Sequence, residues 1–115
     1  MKTRSQAMSD QLSSAEALRL VRSLSTIEAE KKNSEQSFVS LQKLLPRVMP
    51  RQLQEIQVVD THTATIRGYK LTVVPSPDGQ HFQLSLVPKS DCGYSLFTNE
   101  SFVIYEAKAL GCPDR

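Results

Sequence analysis

Residues 13–27, SSAEALRLVRSLSTI, carry the strongest periodic signal in the chain and decide its fold. Ser13 and Glu16 have the spacing of a capping box, in which each residue bonds the backbone N–H of the other. Apolar residues then recur every three or four positions, as on one stripe of a helix. This stripe consists of Ala17, Leu20, Val21, Leu24 and Ile27. Because Glu28 and Lys31 are polar and Asn33 suits a helix end, the pattern predicts an amphipathic helix over 14–32.

The period changes from about 3.6 to two further along the chain, which is typical of strands with one buried face. The two clearest segments are 69–73 and 82–86, where aromatic or aliphatic residues alternate with polar ones. Between them lies Pro75-Ser76-Pro77-Asp78-Gly79, whose prolines and glycine favour a turn. These segments predict a β-hairpin. Its inward-facing residues are Tyr69, Leu71, Val73, Phe82, Leu84 and Leu86.

Weaker patterns predict the remaining elements. Residues 94–97 and 102–105 form a second pair of strands around a turn at 98–101, and Ile56–Val59 supplies an additional strand. Residues 37–45 form a short helical turn that Pro46 ends. Residues 47–54 connect this turn to the sheet, and His62 lies in a turn.

The order of elements, one helix and then a run of strands, predicts an α+β fold in which the N-terminal amphipathic helix packs on a small antiparallel sheet. A chain of 115 residues has room for one domain. We assign residues 13–115 to it, and we expect the polar residues 1–12 to be frayed or disordered.

Composition excludes several partners. The net charge of +2 is too small to indicate nucleic acid binding, and no segment approaches the roughly 20 apolar residues of a membrane span. Residues 1–12 contain no apolar segment of a signal peptide. Met1 therefore begins either a cytoplasmic protein or a chain whose targeting segment has been removed.

No arrangement of residues indicates catalysis or a cofactor. His62 and His81 could join Cys92 in a metal or nucleophilic site, but their spacing matches no known ligand pattern. The four glycines are scattered and the carboxylates are unpaired. We therefore expect a non-enzymatic protein without cofactors. Spacing alone leaves Cys92 and Cys112 as either a disulfide or two free thiols.

Several segments together resemble type IV pilin-like proteins. Residues 23–30, SLSTIEAE, resemble the end of the family's long helix, and residues 38–44, FVSLQKL, the segment that follows it. Residues 68–74 (GYKLTVV), 86–88 (LVP) and 93–105 (GYSLFTNESFVIY) are similar to its closing strands. The resemblance extends over residues 13–112.

The resemblance implies a structural or accessory subunit of a pilus or secretion pseudopilus, in the periplasm or at the cell surface. By position, Cys92 and Cys112 would form the C-terminal disulfide of the family, and the apolar helix stripe would face the sheet. The implied partners are proteins, including other pilin-like subunits.

Two features depart from the family pattern. Pilin precursors have a basic leader, a cleavage site and an apolar helix half, whereas residues 1–12 here are polar. We therefore expect either a truncated soluble portion or a relative that has lost polymerisation. Phe102 also stands where the pattern often has glycine. The alternative to a pilin-like subunit is a soluble partner-binding module with the same fold. A third reading, a small hydrolase or metal enzyme, requires His62, His81 and Cys92 to converge.

Overall fold

The computed structural model describes residues 12–48, 54–89 and 94–108. Helix α1 spans Ser14–Glu35, and a short helix α2, Leu41–Leu44, continues into a 3₁₀ turn at Leu45–Arg47. Six strands follow, and each pairs antiparallel with the next in sequence, so that the sheet order is β1-β2-β3-β4-β5-β6. Their bounds are β1 Ile56–Val58, β2 Thr63–Ile66, β3 Tyr69–Pro75, β4 Phe82–Pro88, β5 Tyr94–Asn99 and β6 Tyr105–Lys108. The α+β architecture, a helix packed on an antiparallel sheet, is confirmed.

Helix α1 begins at the capping box that the sequence indicates. The Ser13 N–H donates to Glu16 Oε1 at 3.0 Å, and the Glu16 N–H donates to Ser13 Oγ at 3.1 Å. The Ser13 backbone bond, followed by the Arg67 side chain, lowers the pKa of Glu16. Arg67 Nη1 lies 2.9 Å from Glu16 Oε2, so the start of α1 is also tied to the β2–β3 turn.

The core lies between α1 and one face of the sheet, with α1 against β4 and β5. All five residues of the apolar stripe are at most 6% exposed, and they belong to this core. Leu12 is also buried, and its N–H donates to the Arg67 carbonyl. The predicted frayed segment otherwise covers residues outside the described part of the chain.

The helix continues three residues beyond the predicted end. It ends at Glu35, and Gln36 closes it in the left-handed conformation, with φ of 64°. The stripe also continues, because Glu28 is fully buried. The sequence predicted that the buried face ends before position 28, because Glu28 is charged. In the structure the Glu28 carboxyl group accepts a backbone N–H from the segment that follows α1, and this bond accompanies its burial.

The β3–β4 hairpin is confirmed, with Tyr69, Leu71 and Val73 facing the core from β3. Gly79 in its turn has φ of 72°, and its carbonyl accepts the Phe38 N–H at 2.9 Å. A Cβ at this position would overlap the Ser37 side chain. Gly79 therefore permits both the turn and its contact with the segment after α1.

Strand β2 was not predicted. The sequence indicated a turn around His62, but Thr63–Ile66 pairs with both β1 and β3. Only Ala64 and Ile66 of this strand are buried, and two apolar positions are too few to reveal a period of two. The two-residue turn Arg67-Gly68 joins β2 to β3 with positive φ at both residues, as in a type I′ turn.

Strand β6 begins three residues later than predicted. Phe102 has φ of 62°, and its N–H donates to the Asn99 carbonyl at 2.9 Å. Thr98 Oγ1 donates to the Val103 carbonyl at 2.9 Å. These bonds hold residues 102–104 in a turn-like segment, so that pairing with β5 resumes only at Tyr105.

Candidate functional site

Glu28 is the one charged residue that is buried among the described residues. The Val39 N–H donates to its Oε1 at 2.8 Å, while its Oε2 has no hydrogen-bond partner in the described part of the chain. Burial raises the pKa of Glu28 to about 7, against the lowering effect of the Val39 bond. The carboxyl group thus joins α1 to the segment before α2 and changes its charge near neutral pH.

Three phenylalanines close the same end of the core. The rings of Phe38 and Phe82 are 4.8 Å apart between centroids, and the Phe102 ring lies 5.8 Å from Phe82 and 6.3 Å from Phe38. Phe102 remains 42% exposed. Its left-handed backbone conformation is one that L side chains rarely adopt, and it brings the ring over this cluster.

The turns at this end of the sheet form an open cleft that both polar and apolar residues line. It lies between the β3–β4 and β5–β6 turns, and His81 and Glu100 line it. His81 Nδ1 is 3.3 Å from Glu100 Oε2. Hydrogen bonds, first with the Glu100 backbone and then with His81, lower the pKa of Glu100. The His81 and Glu100 side chains are 62% and 39% exposed, so the cleft offers polar groups but little enclosure.

The final hairpin, β5–β6, exposes several aromatic residues. Phe97 and Tyr105 are opposite each other and are 39% and 55% exposed. They lie on the sheet face away from α1, because the alternate residue Leu96 is buried against the core. On the α1 side of the same hairpin, Lys108 Nζ lies 5.6 Å from the ring centroid of Tyr94. All four residues of β6 are exposed.

The candidate site residues of the sequence fall into three groups. The apolar stripe of α1 lies in the core, as described above. Cys92 and Cys112 lie outside the described residues, so their pairing stays a prediction. His62 lies in the turn before β2, and His81 lies in the turn before β4. The His62 carbonyl accepts the Val73 N–H, and the His81 carbonyl accepts the Ser76 N–H. Within residues 12–48, 54–89 and 94–108, no three His, Cys, Asp or Glu side chains gather as a metal site would require.

None of the described helices is long and apolar enough to cross a membrane.

No protein-family model matches this chain, and no match was found among curated proteins or solved structures.

Sequence reasoning missed Glu28 and the surface formed by β6. The signal for Glu28 was present, because this residue stands four positions after Leu24 and seven after Val21 and so continues the stripe. The signal for the β6 edge was weaker. The start of the edge strand depends on where the turn at Phe102 ends, and the sequence predicted that the strand starts at Phe102 itself.

Proposed function

We propose that this chain is the globular domain of a pilin-like structural or accessory subunit of a pilus or secretion pseudopilus. The observation that carries the proposal is the arrangement of α1, which lies across β4 and β5 of an antiparallel meander. This arrangement supports the resemblance of residues 13–112, because the segments similar to the family's helix and closing strands become packed neighbours.

The surface of α1 supports a structural role. Its buried stripe is occupied by the sheet, and the opposite side presents Arg19, Arg22, Thr26 and Glu30 to solvent. Glu30 Oε1 accepts from Arg47 Nη2 at 2.8 Å, and this exposed pair contributes little to stability. The helix therefore retains one polar face that is available for contacts with other subunits.

The β5–β6 hairpin supports the proposed disulfide. Strand β5 begins two residues after Cys92, and β6 ends four residues before Cys112. Tyr94 and Lys108 are opposite each other, so these two strand ends lie side by side. A bridge between the cysteines would close the hairpin at its open end. By the loop-entropy relation, it would stabilise the fold by about 3 kcal/mol.

Cell fractionation tests the function. The complete gene, tagged at the C-terminus of its product, is expressed from its own locus, and sheared surface filaments, periplasm and cytoplasm are examined by immunoblot. We expect the protein in the filament or periplasmic fraction. Detection in the cytoplasm alone would contradict the proposal. As a matched control, the variant Cys92→Ser/Cys112→Ser shows whether export and assembly depend on the bridge.

Thiol titration tests the disulfide separately. Protein purified without reductant should show no reactive thiol in denaturant, and two after reduction. Two reactive thiols before reduction would contradict the bridge in exported material.

The second candidate function is a soluble partner-binding module. The exposed aromatic residues of β5–β6 favour it, since Phe97 and Tyr105 offer apolar area without a covering element among the described residues. This function predicts cytoplasmic protein with two free thiols, so the fractionation and the titration together separate the two candidates.

A further inference from the structure

Strand β6 forms one edge of the sheet, and its sequence is Tyr105-Glu106-Ala107-Lys108. An edge strand presents backbone N–H and C=O groups that can pair with another strand. Glu106 lies opposite Leu96, and Lys108 lies opposite Tyr94. Because residues alternate between faces, Glu106 and Lys108 share the face that α1 covers elsewhere, and Tyr105 and Ala107 share the other.

Symmetry limits how this edge can pair with itself. Two antiparallel strands related by a two-fold axis require that axis to be perpendicular to the sheet, so each face continues into the same face of the second copy. The axis must then pass through a residue position, and the four residues of β6 offer four such registers.

Charge separates the four registers. An axis at Glu106 places two glutamates opposite each other, and an axis at Lys108 does the same with two lysines. An axis at Tyr105 leaves residues 106–108 opposite residues 102–104, which are not part of a strand. An axis at Ala107 places Glu106 of each copy opposite Lys108 of the other. Opposite charges at directly opposed positions stabilise a strand pair, and like charges destabilise it.

We infer that β6 is a self-association edge, where a second copy of this chain pairs antiparallel about Ala107 and joins the two sheets into one. The pairing yields two Glu106–Lys108 contacts and a continuous backbone ladder over residues 106–108. The alternation of unlike charges distinguishes this edge from a protected one, because like charges at positions 106 and 108 would oppose the registers about Glu106, Ala107 and Lys108 alike.

The α1 helices of the two copies leave room for this pairing. Helix α1 lies over β4 and β5, and it does not cover β6, whose residues are all exposed. From β5 of one copy to β5 of the other there are three strand spacings, or about 14 Å, and from β4 to β4 about 24 Å. Packed helices need only about 8–10 Å between axes. The contact is short, so we expect a dissociation constant of about 0.1–1 mM.

Charge reversal at the edge tests the inference. Sedimentation equilibrium of the full chain at about 0.02–2 mM measures the dissociation constant. Glu106→Lys places lysines opposite each other at both positions of the pair, and Lys108→Glu does the same with glutamates. Each variant should weaken association at least tenfold. Lys70→Glu is the matched control, because it reverses an exposed charge on β3, away from the edge.

Rescue makes the test specific to this register. The double variant Glu106→Lys/Lys108→Glu restores unlike charges and should recover dimerisation. An equimolar mixture of Glu106→Lys and Lys108→Glu should form a heterodimer that neither forms alone. The inference is overturned if the wild-type chain stays monomeric at about 2 mM, the highest concentration used. It is also overturned if the single charge reversals leave the dissociation constant of the dimer unchanged. It would also fail if neither rescue occurs while circular dichroism shows folded variants. Since none of these readouts involves export or filaments, they are independent of the proposed function.

Discussion

Replacement of Glu28 by Gln should remove the pH dependence of stability that Glu28 itself causes between pH 5 and pH 8. The amide keeps the shape of the side chain, and its oxygen can still accept the Val39 N–H that now lies 2.8 Å from Oε1. What the substitution removes is the titration of a carboxyl group that is 0% exposed. It also places an amide nitrogen near the position of Oε2, which has no partner among the described residues.

The magnitude follows from the pKa. Burial raises the pKa of Glu28 from 4.5 to about 7 in the folded chain. Because the folded state then holds this proton more tightly, the contribution of Glu28 to stability is largest below pH 4.5 and is lost as the pH rises through about 7. Above pH 7 the loss is complete. A shift of about 2.5 pKa units corresponds to about 3 kcal/mol, of which about 2.5 kcal/mol falls between pH 5 and pH 8.

The assay is urea denaturation of both proteins at about pH 5, 6, 7 and 8, with circular dichroism as the signal that monitors unfolding. The quantity of interest is the free energy of unfolding of Glu28→Gln minus that of the wild type. This difference should rise by about 2–3 kcal/mol from pH 5 to pH 8. The unpaired amide adds an offset of about 1–3 kcal/mol in favour of the wild type, but that offset does not change with pH.

Taking the difference cancels the contribution of every titratable group that the two proteins share. The matched control is Glu30→Gln, which changes an exposed carboxylate two positions along α1 and should leave the wild-type pH profile unchanged. A difference between Glu28→Gln and wild type that stays constant within about 0.5 kcal/mol over this range would refute the reasoning.

Other substitutions test the packing and the positive φ angles of Phe102 and Gly79 by the same denaturation assay. Leu24→Ala should cost about 2–5 kcal/mol because Leu24 is fully buried, whereas Thr26→Ala on the exposed side should stay within about 0.5 kcal/mol; similar losses would contradict the assigned faces. Phe102→Gly should be about 1 kcal/mol more stable than Phe102→Ala, since only glycine adopts a φ of 62° without strain; the opposite order would contradict the left-handed conformation. Gly79→Ala should cost about 2 kcal/mol or more, and a second change, Ser37→Gly, should recover part of the loss; the overlap is excluded if it recovers none.

Local signals in the sequence were sufficient where a whole element repeats its pattern. The capping box and stripe of α1 and the alternation in β3 and β4 each extend over several residues, so single exceptions do not hide them. Strand β2 has only two buried residues, Ala64 and Ile66, and its place in the sheet depends on pairing with β1 and β3. Both partner strands are near neighbours in sequence, but the pairing with them, and not a repeated pattern within residues 63–66, makes this segment a strand.

Glu28 illustrates a different limit. Its position on the stripe can be read from helical spacing, but its burial depends on the chain after α1 turning back so that the Val39 N–H meets Oε1. A buried carboxyl group is costly unless a donor reaches it. Spacing alone therefore favours an exposed end of the helix, and only the path of residues 36–39 reverses that interpretation.

The turn at Phe102 determines what kind of edge the sheet has. If strand pairing had resumed at residue 102, as the sequence indicated, the edge would read Phe-Val-Ile-Tyr, a continuous apolar run of the kind that aggregates without fixed register. Because of the left-handed conformation of Phe102 and the Thr98–Val103 bond, pairing with β5 begins only at Tyr105. The edge then becomes Tyr-Glu-Ala-Lys, in which charge selects one register. A backbone strain at one residue is thus the physical reason that self-association at β6, as we propose it, would be specific and limited to two copies.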